Sequence, residues 1–234
     1  MIPLRDDAPR FTTPYLTYFL LALNVVAFLY ELLLEPRTRM EFLFQFGVVP
    51  THITGLLHGA EDVNVQVALV PVLTSMFLHA SWIHLLSNML ALWIFGDNVE
   101  DHLGRFRYLL LYLGSGVAAS LLHTAFNASS SVPSVGASGA IAGVMGAYFL
   151  LFPSARVLTL VPLVFIFTVQ LPAWVVLGYW FVVQFLSGAA TSIAPGQESG
   201  GGIAFWAHVG GFLTGVTLIK LLPARPPRYR YRGW

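Results

Sequence analysis

Residues 157–190 contain no charged side chain over 34 consecutive positions. Drawn as one helix, that stretch would be about 51 Å long, well beyond the ~30 Å hydrocarbon core of a bilayer. Pro162 and Pro172 divide it. The spacing predicts an interfacial or irregular piece to about Val169, then a membrane span over 172–188. Composition points the same way. Of the 234 residues, 56% are hydrophobic and 10% charged, against roughly 25% charged in soluble proteins.

Further spans are predicted over 16–34, 82–96, 108–126, 136–152 and 203–222. The expected fold is an all-α membrane protein, a bundle of six transmembrane helices filling 16–222. A segment 1–15 precedes it and a basic tail 223–234 follows. Ser81 is the predicted N-cap of the second span, 97–102 a charged turn, and 196–202 a glycine-rich loop. Residues 41–70 are too interrupted to span and too apolar for a solvated loop, so a lateral segment resting in the interface fits them. No cleavable signal is apparent at the start. Six spans put both termini on one side. Ten of the 12 Lys and Arg fall there, leaving only Arg37 and Arg39 opposite. The positive-inside rule makes that side cytoplasmic.

Several chemistries lose support early. The sequence has no cysteine, so thiolate catalysis, disulfides and zinc–thiolate sites are out. A net charge of +1 gives no argument for nucleic acid. His79 and His84 have no carboxylate partner at ligand spacing and no His-Glu-x-x-His is present, so metal catalysis is not expected.

What remains is a small-residue run, 136–143, carrying one hydroxyl at Ser138 in the first turn of the fourth span. Such runs ordinarily serve close helix packing. The orientation adds meaning. Spans two, four and six all descend from the outer face, and Ser138, His84, Asn88 and His208 all lie in their outer halves. Ala204, His208, Gly211 and Gly215 share one face of span six, matched by Gly139, Ala142, Gly143 and Gly146 on span four. Close approach of these faces would bring the His208 imidazole to Ser138 as a general base; the plainer alternative is a histidine bonded to a carbonyl across the interface. His84, Asn88 and the Ser138 backbone N–H are candidate donors to an oxyanion, or, on the plainer reading, an interhelical hydrogen-bonded pair. No acid stands within reach as a third member, so the expectation is a dyad. Asn98, Asn127 and Gln184 are read as turn, cap or packing residues, and His123 is given no role.

These residues resemble the rhomboid family of intramembrane serine proteases. The matching pieces are Gly136-Ala137-Ser138-Gly139, Ala207-His208 with Gly211 and Gly215, and His84-x-x-x-Asn88. With them go Phe77-Leu78-His79 and Gly96-x-x-x-Glu100-x-x-x-Gly104 followed by Tyr112. The likeness covers roughly residues 41–216. It implies hydrolysis of peptide bonds in or near transmembrane segments of substrate proteins, with no metal or cofactor, Ser138 as nucleophile, His208 as general base, and His84 and Asn88 as oxyanion donors. It also implies a half-embedded lateral loop after the first helix and substrate access beside span five. Where some members carry a tyrosine four residues after the nucleophile, this chain has Ala142, which leaves the group that positions His208 unassigned. The expected setting is a multi-pass protein of a bacterial plasma membrane, its site opening to the extracytoplasmic side. The alternatives are a non-proteolytic rhomboid-like protein that binds membrane helices, and a small transporter.

Overall fold

In the computed structural model, which describes residues 1–61, 63–162, 166–193 and 204–225, the apolar stretches fold as helices. In chain order these are α1 (Tyr15–Leu33), α2 (Pro36–Phe46), α3 (Pro50–His58), α4 (Val65–Thr74), α5 (Trp82–Leu103), α6 (Arg105–Phe126), α7 (Ser138–Leu151), α8 (Ala173–Ile193) and α9 (Phe205–Leu221). The loop expected at 196–202 and the tail beyond 225 lie outside the described residues. By length and apolarity α1, α6 and α8 can each cross a membrane, and α5 qualifies jointly with the preceding segment 65–77, from which it bends by 74°. Helices α7 and α9 are apolar but shorter.

Helix α7 is the axis of the bundle. Every residue from Gly139 to Tyr148 is buried, with α5, α6, α8 and α9 packed around it. A helix can be enclosed on all sides only if its side chains are small or its neighbours leave room. Here both hold. A methyl added to Gly211 would overlap the Gly139 carbonyl, and one on Gly215 would overlap that of Gly143. On the other side, Gly143 backs onto Ser115 of α6, while Gly146 lies against the Phe212 carbonyl of α9. The facing small-residue surfaces read from the sequence are therefore in backbone contact.

Polar residues within α1 mark its inward face. Thr17, Asn24 and Glu31 recur every seven residues and are fully buried together with Leu20 and Phe28. The expected turn at 97–102 is instead the last part of α5, which runs on to Gly104, at φ +77°. The reason is that its acids are not solvated. Glu100 is 2% exposed, and its carboxylate accepts the first N–H groups of α1, from Leu16 at 3.1 Å and Thr17 at 2.7 Å. Asp101 accepts the Phe11 N–H at 2.9 Å, and Asp97 pairs with Arg10 at 2.9 Å. A carboxylate at the N-terminus of α1 satisfies orphan donors and favours the dipole.

The all-α expectation needs one correction. The stretch 157–169, expected to be interfacial or irregular, contributes to two antiparallel strands, β2 (Arg156–Pro162) and β3 (Ile166–Pro172), and the N-terminal segment adds β1 (Ile2–Asp6) on the other side of β2. Alternation decided it: Val157 and Thr159 are fully buried, while Arg156 is exposed and Leu158 and Leu160 are partly exposed. The connector over 41–70 also has more structure than expected, forming most of α2, all of α3 and part of α4. Asn64 caps α4 by accepting the Val67 N–H at 2.9 Å.

Tyr148 at the end of α7 donates its hydroxyl to Asp6 of the sheet. Burial pushes the Asp6 carboxyl above the usual carboxylate range, against the lowering effect of that hydrogen bond. A group that holds its proton more tightly folded than unfolded stabilises most below its unfolded value, and that contribution fades as pH rises through the raised one. Asp6→Asn should therefore flatten the loss of thermal stability from about pH 4 upward, measured by unfolding in detergent. The helix contact gives a second expectation. Gly215→Ala should cost roughly 1–3 kcal/mol by forcing α7 and α9 apart. Gly178→Ala on α8, whose added carbon would meet only Phe149 at 3.8 Å, should be neutral or slightly stabilising.

Candidate functional site

Ser138 is the first residue of α7, and Ala137 at the N-cap offers no side chain to its donors. The first-turn N–H groups thus lack an intrahelical acceptor and face the start of the helix. The approach to Ser138 is tied down by backbone hydrogen bonds. Val48 and Ser134 exchange N–H···O bonds of 2.9 and 2.8 Å, and the Gly136 N–H donates to the Ser75 carbonyl at 2.9 Å. Gly136 sits at φ +134°, where side chains are strained, and the space beside it is taken. A β-carbon there would stand 2.6 Å from His84 Nε2 and 3.6 Å from Ser138 Oγ. The imidazole and the hydroxyl therefore border one point. A cavity of about 30 Å³ opens here, lined among others by Ser138, Ser75, Ser120, Ser134 and His123, large enough for a water molecule or two.

His84 lies in the first turn of α5, whose N-cap Ser81 accepts the His84 N–H at 3.2 Å, as the sequence predicts. Asn88 follows one turn later on the same face. Its amide is not free-standing: Nδ2 lies 3.0 Å from His79 Nε2, and the His79 ring meets His84 edge-on with centroids 5.1 Å apart. His79 is fully buried. Its backbone N–H donates to Glu31 Oε1 at 3.0 Å, and Arg39 donates to the His79 and Ala80 carbonyls at 3.3 Å each while lying 3.6 Å from Glu31 Oε2. The sequence reading gave His79 no task. It is the residue that holds Asn88, and its signal was its place five residues before His84, in the turn leading into α5.

His208 lies in the first turn of α9. Its neighbour Ala207 backs onto Gly139, where an added β-carbon would come within 3.9 Å of the Ala207 Cβ. Ser138 and His208 thus flank the first contact of the two helices, although they are not hydrogen-bonded to each other in this structure. The imidazole has a partner elsewhere. His208 Nδ1 lies 2.8 Å from Gln184 Oε1 on α8, and the Trp180 ring lies over it at 5.6 Å, tilted 34°. Gln184 is therefore no mere packing residue, which corrects the sequence reading. Trp180, Gln184 and Gly188 recur every four residues, and that face turns toward α9: Gly188 approaches the Trp206 ring, at 3.1 Å from an added β-carbon. His123, also left without a role, lines the cavity beside Ser138 and lies 3.4 Å from the Asn127 amide.

Taken as chemistry, the site joins a hydroxyl at an uncapped helix start, imidazoles on three other helices, and a small polar cavity. Uncapped N–H groups and ring N–H groups can stabilise an oxyanion. An imidazole with one nitrogen held and the other free can take up a proton.

Comparison with known proteins identifies the family. The Rhomboid domain family matches residues 67–225. The chain belongs to the rhomboid family. It is similar to Rhomboid protein 1, mitochondrial, of Saccharomyces cerevisiae, with 35% identity over 151 residues, covering 63% of this chain and 40% of that protein. RHOMBOID-like protein 1 of Arabidopsis thaliana is 33% identical over 191 residues, covering 78% of this chain and 42% of that protein. Rhomboid protease GluP of Bacillus subtilis is 35% identical over 134 residues, covering 57% of this chain and 24% of that protein. The chain thus spans less than half the length of these relatives.

The His79–Asn88 pair can be weighed directly. His79→Leu should lower thermal stability by about 1–3 kcal/mol, because it strands a buried amide. The double variant His79→Leu/Asn88→Leu should recover most of that loss in the same unfolding assay. Additive losses would mean that the pair is not coupled.

Proposed function

We propose that this protein is an intramembrane serine endopeptidase. It cleaves peptide bonds in or near transmembrane segments of other membrane proteins, with Ser138 as nucleophile and His208 as general base. The observation that carries this reading is the joint placement of both residues at the first α7–α9 contact, with Ser138 in an uncapped first turn. In this reading α1, α5, α6, α7, α8 and α9 are the six spans, and the α2–α4 segment rests laterally in the bilayer interface. The lysine and arginine distribution supports an orientation with both termini in the cytoplasm and the Ser138 end of α7 toward the opposite face.

The chemistry runs as acyl transfer. Ser138 Oγ attacks the scissile carbonyl carbon as its proton passes to His208 Nε2, and the carbonyl π electrons move onto oxygen. The resulting oxyanion accepts hydrogen bonds from the Ser138 N–H, the His84 ring and the second N–H of the Asn88 amide. Collapse expels the amine, which takes the proton from His208 and leaves an ester on Ser138. A water molecule, for which the adjacent cavity has room, then attacks the ester while His208 again receives a proton, which it returns to Ser138. Catalytic hydrogen bonds commonly tighten only once substrate is bound, so the missing Ser138–His208 bond suits a resting site.

Ser138→Ala and His208→Ala should each abolish cleavage of a transmembrane reporter in detergent or proteoliposomes. A fluorophosphonate should label the native protein at Ser138 and neither variant. His84→Ala or Asn88→Ala should lower kcat by about 10²–10³-fold, as loss of one oxyanion donor does. Binding of transmembrane segments with no cleavage and no labelling would instead favour a non-proteolytic helix-binding protein.

A further inference from the structure

We propose that Gln184 is the positioning residue of the base: it accepts the Nδ1 proton of His208 and so leaves Nε2 as the lone-pair nitrogen aimed at Ser138. This rests on the Ser138–His208 reading above and identifies what holds the imidazole, with alanine at position 142 and, among the described residues, no carboxylate hydrogen-bonded to it. Three observations support it. The Gln184 Oε1 to His208 Nδ1 distance is 2.8 Å. Gln184 is 9% exposed, so its carbonyl has little water to bond instead. One turn before it, Trp180 covers the His208 ring at 5.6 Å and also meets Phe212, one turn beyond His208, at 6.2 Å. The ring is thus held in position by the indole and in rotation by the amide.

An amide does part of what a carboxylate does in a triad. A carbonyl oxygen accepts only from a protonated Nδ1, so it selects the tautomer in which Nε2 can take a proton. It fixes the ring's rotation too. Unlike a carboxylate, it adds no full negative charge to offset the imidazolium. Among the described residues, the titratable groups acting on His208 are themselves imidazoles, His84 on α5 and His123 on α6. Gln184 therefore acts through His208 and does not touch the reacting atoms.

Two variants at the position test the assignment. Gln184→Met keeps length and volume and removes the acceptor, whereas Gln184→Glu restores one and adds charge. In the full-length protein in detergent, Gln184→Met should lower kcat by roughly 10–10²-fold with KM little changed, since a wrong tautomer costs turnover and leaves binding alone. Gln184→Glu should retain turnover and shift the acid limb of the kcat/KM profile to higher pH, because a carboxylate favours the charged imidazole. Nitrogen-15 shifts of the His208 ring should report a protonated Nδ1 in the native protein and a mixture of tautomers in Gln184→Met. Unchanged tautomer and unchanged kcat in Gln184→Met would overturn the assignment. The nitrogen-15 measurement does not depend on proteolysis. A native protein that neither cleaves nor labels, yet loses the Nδ1-protonated tautomer in Gln184→Met, would refute the protease reading and leave the positioning role standing.

Discussion

Two backbones in contact set the geometry of this molecule. Where Gly211 and Gly215 of α9 meet the carbonyls of Gly139 and Gly143 on α7, no side chain separates the helices. Without a hydrophobic force between helices in lipid, such close packing is a main source of association. It also fixes register. Each glycine accepts one facing carbonyl, so a slide of either helix by one residue would drive a methyl or larger group into backbone. Ser138 and His208 stand next to this contact, and their relation is inherited from it. Interiors packed to this density move as discrete arrangements, not by small continuous shifts.

The same contact explains how so short a helix can be the centre. At 1.5 Å per residue, the 14 residues of α7 extend only about 21 Å, less than the ~30 Å apolar core. A lipid-facing helix of that length would leave its ends in hydrocarbon. Helix α7 faces protein along its whole buried stretch, and the loop before it is bonded to Val48 and Ser75. Irregular backbone at membrane depth is tolerated where protein or a wet cavity satisfies it. An uncapped helix start beside a small polar cavity is thus consistent with both stability and acyl chemistry. In contrast, α1 and α8 are long and expose Phe19, Val26, Leu29, Trp174, Val182 and Leu186, the surface expected of helices that meet lipid.

How much of this was legible in the sequence depended on what each residue's position is determined by. The helices followed from apolar length, and the α7–α9 faces from glycine spacing, because a stripe of small residues has few other uses in a membrane. Ser138, His84, Asn88 and His208 stood out because a chain with 10% charged residues keeps few polar groups within its spans. Other features depend on partners distant in sequence. The strand character of Arg156–Pro162 was hidden because a sheet strand is completed by its neighbour, here Ile2–Asp6. The acids at 97–101 looked like a solvated turn until the start of α1 came to meet them. Gln184 looked like filling because its function is set by the rotation of α8 about its axis, which no local pattern fixes.

Gln184 also shows why an amide suits this place better than an acid would. A carboxylate beside His208 would have to remain charged within an apolar bundle, and the desolvation of such a group costs several kcal/mol unless it is fully paired. Glu31 and Glu100 show what pairing requires in this fold. Glu100 takes two backbone N–H groups and a threonine hydroxyl, while Glu31 takes a backbone N–H with Arg39 beside it. Among the described residues the Gln184 carbonyl has one hydrogen-bond partner, His208, whose ring Trp180 covers. An amide needs only one good acceptor contact to select a tautomer, and it carries no charge to bury. What it gives up is stabilisation of the imidazolium that forms during proton transfer. In the proposed mechanism that deficit falls on the oxyanion donors, whose hydrogen bonds strengthen in the same step. A site arranged this way places more of its catalysis in His84, Asn88 and the α7 N-terminus than in the partner of its base.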